Sequence, residues 1–187
     1  MIYENDNPFA AFDLAEHLRD CITPYLEMTT SGLPNRVCIT SGQVAWDDCK
    51  CGQLTVSLLR QFQSVNFPTP WDGSDNGGVL KCGPPLYVFE YEVTMLRCAS
   101  ETEGESPPTC AMIGGDFRVT TEDAWAVRTG LQCCICAGLE RDAEGVKLFE
   151  RAVIGEQVSV GPEGLCVGSS VVVTIAVRNG NYPCRVS

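Results

Sequence analysis

The segment from Leu86 to Cys98 alternates apolar and polar residues, and this alternation constrains the fold more than any other stretch of the chain. Tyr87, Phe89, Tyr91, Val93 and Met95 fall on one parity, Glu90, Glu92 and Thr94 on the other. Successive side chains of a β-strand point to opposite faces. The pattern is therefore that of a strand with one buried face, which needs partner strands and an apolar cover. Gln53 to Gln63 repeats it, with Leu54, Val56, Leu58 and Phe62 on one side and Thr55, Ser57 and Gln61 on the other. Arg36 to Val44 reads as an earlier strand with Gly42 as a candidate bend. Val153 to Val160 and Val171 to Arg178 read as a closing pair joined through Gly161-Pro162-Glu163-Gly164.

Helical periodicity appears in two places. Asn7-Pro8 has the form of an N-cap followed by proline at the first helical position. Phe12, Leu14, Ala15, Leu18, Cys21 and Ile22 then recur at helical spacing up to Pro24, where the helix should kink or stop. Thr120-Thr121-Glu122-Asp123 resembles a cap with first-turn acids that suit the helix dipole. It predicts a helix near residues 121–138 with Ala124, Val127, Leu131, Cys134 and Gly138 as its apolar stripe. Helix, strands, helix and two strands, without strict β-α-β alternation, predict an α+β fold. The expected core is a mostly antiparallel β-sheet flanked by the two helices. The 187 residues suffice for one domain with a full hydrophobic core, so residues 1–187 are read as a single unit. Phe67–Pro85 and Glu101–Asp116 are long polar, Gly/Pro-bearing excursions of the kind that often carry function.

Charge and motifs exclude several activities. With 13 basic and 24 acidic residues the net charge is −11, and no basic stripe exists to grip a phosphate backbone. The N-terminus lacks the basic start and apolar stretch of a signal peptide, and Val171–Val177 is too short to span a bilayer. The expectation is a cytoplasmically made protein with no membrane partner. The only histidine, His17, falls on the polar side of the first helix and reads as a surface residue. No nucleophile elbow, phosphate loop or dinucleotide fingerprint is present, so no catalytic residue, cofactor or enzymatic activity is assigned.

Twelve cysteines are more than a chain of this size needs. Cys49 and Cys51 lie at the mouth of one strand and Cys98 at the end of another, so antiparallel pairing would bring them together. If the alternation extends back through Gly52, all three occupy the polar face, which suits a crosslink better than core filling. A disulfide cluster of Cys49, Cys51 and Cys98 is the favoured reading. A zinc or redox site that adds Cys133 or Cys136 is the alternative, weakened by the lack of a Cys-x-x-Cys knuckle outside a helix. Cysteines on the second helix read as buried small hydrophobes.

Trp46-Asp47-Asp48-Cys49-x-Cys51-Gly52-Gln53-Leu54, with Phe67-Pro68, Leu96-Arg97-Cys98-Ala99, Asp123-Ala124-Trp125, Cys133-Cys134 and Gly161-Pro162-Glu163-Gly164-x-Cys166-x-Gly168, resembles small neck and tail proteins of long-tailed actinobacteriophages. The likeness spans about Val37 to Val177, and Lys50 stands where such relatives often carry cysteine. The order of elements is most similar to the tail terminator family, with a stopper or adaptor ring of the neck as the alternative. This resemblance implies a virion protein forming a homo-oligomeric, hexameric ring at the head-proximal end of the tail. Its partners would be the major tail tube protein and a head-completion or stopper protein, with DNA passing through the lumen unbound. Candidate interface residues are Trp46, Asp47, Asp48, Phe67 and Trp71.

Overall fold

The computed structural model describes residues 10–42, 52–71, 86–100, 107–140, 148–163 and 165–178 of the chain. In chain order these form α1 (Ala10–Glu27), β1 (Arg36–Ser41), β2 (Gln53–Ser64), β3 (Leu86–Cys98), α2 (Cys110–Leu139), β4 (Arg151–Glu163) and β5 (Cys166–Arg178). The strands make one five-stranded sheet in the order β1-β2-β3-β5-β4. All neighbours are antiparallel except β1 and β2, which run parallel from Arg36 beside Gln53 to Ser41 beside Leu58. The architecture is α+β, as the order of elements predicts.

β3 is the central strand, and its alternation decides where the core lies. Phe89, Tyr91, Val93 and Met95 are buried on one face with Leu54 and Val56 of β2 and Val171, Val173 and Ile175 of β5. Leu14, Leu18, Ile22 and Leu26 of α1 and Ala126, Val127, Leu131 and Ile135 of α2 close over that face. Each such side chain contributes about 1.5–3 kcal/mol by leaving water, so the two helices are held mainly by this contact. Tyr91 is wholly buried, and its hydroxyl donates to the Ala11 carbonyl at 2.7 Å. On the opposite face hydroxyls pair across strands: Thr40 with Ser57 at 2.9 Å, and Ser170 donating to Glu92 at 2.6 Å.

The structure departs from the sequence expectations at particular residues. The register of β2 shifts so that Leu58 lies opposite Tyr91 but Arg60 lies opposite Glu90. This extra residue moves Phe62 off the core face, where alternation from Leu54 predicts it. Phe62 instead lies under Arg60, whose guanidinium sits 5.1 Å from the ring centroid and bonds Glu90 at 3.0 and 2.8 Å. β1 ends at Ser41, where Gly42 turns at φ +77° and donates its N–H to the Leu58 carbonyl; Val44, the expected end, lies outside the described residues.

α1 continues through Pro24 to Glu27. The proline forfeits one backbone bond to the carbonyl of Asp20. Both residues are exposed, so the lost bond lies at the surface, while fully buried Leu26 draws the following turn into the core. α2 starts at Cys110 rather than near residue 121, with the Thr109 hydroxyl accepting from the Met112 N–H at 3.3 Å. Thr120 and Thr121 do not cap it; they bond back to the Phe117 carbonyl at 3.1 and 2.7 Å, as hydroxyls inside a helix do. The last turns of the expected Glu101–Asp116 loop are thus helical, and Asp116 accepts from the backbone and hydroxyl of Ser100 at 2.9 and 2.6 Å.

The helices approach closely at Gly130. A Cβ there would lie 2.9 Å from the Ile22 Cα and 3.0 Å from the Cys21 carbonyl oxygen, backbone atoms that cannot swing aside. One turn further, Cys134 is disulfide-bonded to Cys21 with their Cα atoms 5.6 Å apart. Gly130→Ala sets two effects against each other. Helix propensity favours alanine by about 1 kcal/mol, whereas overpacking costs about 1–3 kcal/mol. The expected result is a lower urea midpoint; an increase would show that the helices separate freely.

Candidate functional site: a half-packed helix and a thiol cluster

Where α2 meets the sheet is set by Arg97, the penultimate residue of β3. Its Nε and Nη2 donate to the two carboxylate oxygens of Asp123 at 2.7 and 3.1 Å, and Nη2 also donates to the Gly32 carbonyl at 2.6 Å. The side chains are 12% and 2% exposed, so the pair is out of water. Thr29 donates to Asp123 at 3.3 Å, and Glu122 accepts from the N–H and hydroxyl of Thr30, both at 3.1 Å. The two acids that resemble first-turn residues therefore tie α2 to β3 and to the chain leaving α1.

This junction divides α2. From Asp123 onward the helix carries buried residues; residues 110–122 carry none. Ile113 and Phe117, four residues apart on one side, are 56% and 69% exposed, and Trp125 further along is 65% exposed. A second apolar pair lies on the outermost strand, where Val153 and Val158 of β4 are 45% and 48% exposed. They lie opposite Thr174 and Ser170, on the face away from the helices.

At the other end of the helix pair, His17 corrects the sequence reading. It is half-buried, with its ring 5.9 Å from that of Phe149 and its Nε2 3.7 Å from the Cys21 Sγ. Phe149 reaches this position because Gly138 has no side chain: a Cβ there would collide with the phenyl ring. The nearby Cys134 Sγ lies 3.9 Å from the His17 carbonyl oxygen. Burial pushes the His17 pKa below the usual imidazole range, with Asp20 opposing weakly, so the ring is neutral at pH 7. While the disulfide stands, neither sulfur is a nucleophile.

The expected site residues fare differently. Trp46, Asp47, Asp48, Cys49 and Cys51 lie outside the described residues. Regular alternation begins at Gln53, since Gly52 turns at φ +89°. Cys98 is exposed at the end of β3, opposite Cys166 in register; Cys166 is buried and disulfide-bonded. Cys133 and Cys136 are exposed on α2, and the Tyr25 hydroxyl bonds the Cys133 thiol, which raises the phenol pKa. Both lie roughly three turns beyond Asp123, about 15–20 Å along the axis, so they do not join Cys98. Phe67 and Trp71 are half-buried; Trp71 donates its backbone N–H to Gln63 at 2.8 Å, and its indole nitrogen is buried without a partner. The helix–helix disulfide escapes a reading of second-helix cysteines as inert, yet Cys21 and Cys134 each lie in an apolar stripe. Two cysteines on facing stripes were the available signal.

No protein-family model matches the chain, and no curated protein is similar enough to count as a relative. No helix among the described residues is long and apolar enough to cross a membrane.

Two outcomes follow from the geometry. Asp123→Ala strands the Arg97 guanidinium in a dry site and should cost about 3–5 kcal/mol in urea unfolding. Below the unperturbed imidazole pKa of about 6.5 the unfolded chain binds a proton that the folded chain resists, so stability should fall as pH drops from there toward 5. His17 is the sole histidine, so the slope in that window should vanish in His17→Gln, as measured by melting temperature against pH.

Proposed function

We propose that this chain is a structural protein of a long-tailed phage particle, a ring-forming subunit of the tail terminator kind. It would end the tail tube and join it to a head-completion or stopper protein. The reading rests on the sequence resemblance and on one structural observation in particular. The first three turns of α2 project from the core with Ile113 and Phe117 bare. Met112, Asp116 and Val119 on one side of these turns are only half-buried, and a helix segment so thinly packed gains stability when a partner covers its bare side.

A closed ring with head-to-tail contacts needs two different, complementary patches on each subunit. The exposed Ile113, Phe117 and Trp125 of α2 and the exposed Val153 and Val158 of β4 are our candidates for those patches. Among the described residues no strand pairs with the outer edge of β4, which leaves it open to a neighbour. The acidic balance, −11 over the chain, suits a lumen through which DNA passes without being held. The work of such a subunit is mechanical, and no substrate is turned over.

Native mass spectrometry at rising protein concentration should reveal a single closed oligomer, six subunits on this reading. Phe117→Asp and Val158→Lys should each abolish it while leaving the melting temperature of the monomer within a few degrees. Antibody labelling of virions should fall at the head–tail joint. A protein that stays monomeric at every concentration, or label at the tail tip, would overturn the proposal.

A further inference from the structure

His17, Cys21 and Cys134 are the group of metal-ligating side chains, among the described residues, whose ligand atoms all lie within 4.8 Å of one another. His17 and Cys21 are four residues apart on α1 and so share a face; Cys134 comes from α2. We propose that the reduced protein binds Zn2+ through His17 Nε2 and the thiolates of Cys21 and Cys134, and that oxidation to the disulfide expels the ion. The inference does not rest on the assembly reading.

Distances support the ligand set. With Zn–S near 2.3 Å and Zn–N near 2.05 Å, tetrahedral geometry places a nitrogen and a sulfur ligand about 3.6 Å apart and two sulfurs about 3.8 Å apart. The His17 Nε2 to Cys21 Sγ distance is 3.7 Å with no ion between them. The sulfurs need only relax from bonding distance, and that adjustment is local. The backbones are also held together by the crossing at Gly130 and by Leu18, Ile22 and Leu131 in the core. Phe149, edge-on to the imidazole, limits the orientations that the ring can take. Two thiolates and one imidazole leave the fourth position to water, and they suit a thiophilic cation over Mg2+ or Ca2+.

The two states exchange in balanced steps. Loading the reduced site converts two thiols and Zn2+ into a neutral dithiolate complex with release of two protons. Release requires a two-electron oxidant, here a low-molecular-weight disulfide such as oxidised glutathione. One protein thiolate attacks it, and the mixed disulfide is resolved by the second. The products are the Cys21–Cys134 bond, two reduced glutathiones formed by taking up two protons, and free Zn2+.

The test uses the full chain, reduced without thiols, stripped of metal and titrated anaerobically with Zn2+ and with Co2+. The expected result is one equivalent of metal lost on loss of His17 or Cys21, and a thiolate-to-cobalt charge-transfer band. Oxidised glutathione should release that equivalent in step with formation of the Cys21–Cys134 disulfide, followed by peptide mapping. His17→Ala should weaken binding at least about tenfold, because a ligand matters no less than its supporting groups, while the disulfide still forms. Cys133→Ser and Cys136→Ser should change neither. Should Cys21→Ser fail to fold, His17→Ala decides alone. Undiminished affinity in His17→Ala, or no metal bound by the reduced wild-type chain, would overturn the proposal.

Discussion

A guanidinium and a carboxylate that have both left water must stay together, and Arg97 and Asp123 form such a pair at the point where sheet and helices meet. Removing either leaves the other's charge buried without its ion-pair partner. Because Arg97 also donates to Gly32, and Asp123 accepts from Thr29, the same few atoms position β3, α2 and the chain leaving α1. The axial position of α2 follows from this. All of the buried residues of α2 lie from Asp123 onward, and none lies before it. The bare apolar side chains of the first turns and the buried Cys134 of the last turns follow from one anchoring.

The α1–α2 contact shows what small residues permit. Gly130 lets two backbones come close enough for Cys21 and Cys134 to bond, and Gly138 makes room for the ring of Phe149. A crosslink closing a loop of 113 residues stabilises by roughly 4–5 kcal/mol in the chain-entropy model. His17 is half-buried beside that bond, in a protein that carries cysteines well beyond the needs of its core. A cluster that responds to oxidation thus sits within the same helix pair whose other end is bare, and the shared element is α2.

Much of the sheet was legible because period-two alternation is a local signal. Leu86 to Cys98 is β3 to the residue, and its Phe89–Met95 parity faces the core. Phe62 shows where that logic fails. One extra residue near Leu58 reverses the faces, and only the cross-strand partner Glu90 reveals it. The start of α2 was hidden for a different reason. Gly114-Gly115 weaken the helical signal of the exposed first turns, and Thr120-Thr121-Glu122-Asp123 imitates a cap because Asp123 is acidic for the sake of Arg97. His17 looked like a surface residue since its neighbour Phe149 comes from far along the chain. Of the expected cysteine cluster, the strand order accounts for Cys98, while the helix-to-helix bond depends on a packing angle that no linear pattern encodes.

The strand order has a bearing on how the molecule is made. β5 follows every other described element in the chain, yet it lies between β3 and β4 and pairs with both. Until it has left the ribosome, β3 has an open flank and β4 has no place in the sheet. Val171, Val173 and Ile175 are missing from the core for the same interval. A nascent chain therefore cannot mature piecemeal: its last described strand acts as a keystone, and each copy emerging from a message stays immature until it has inserted that strand.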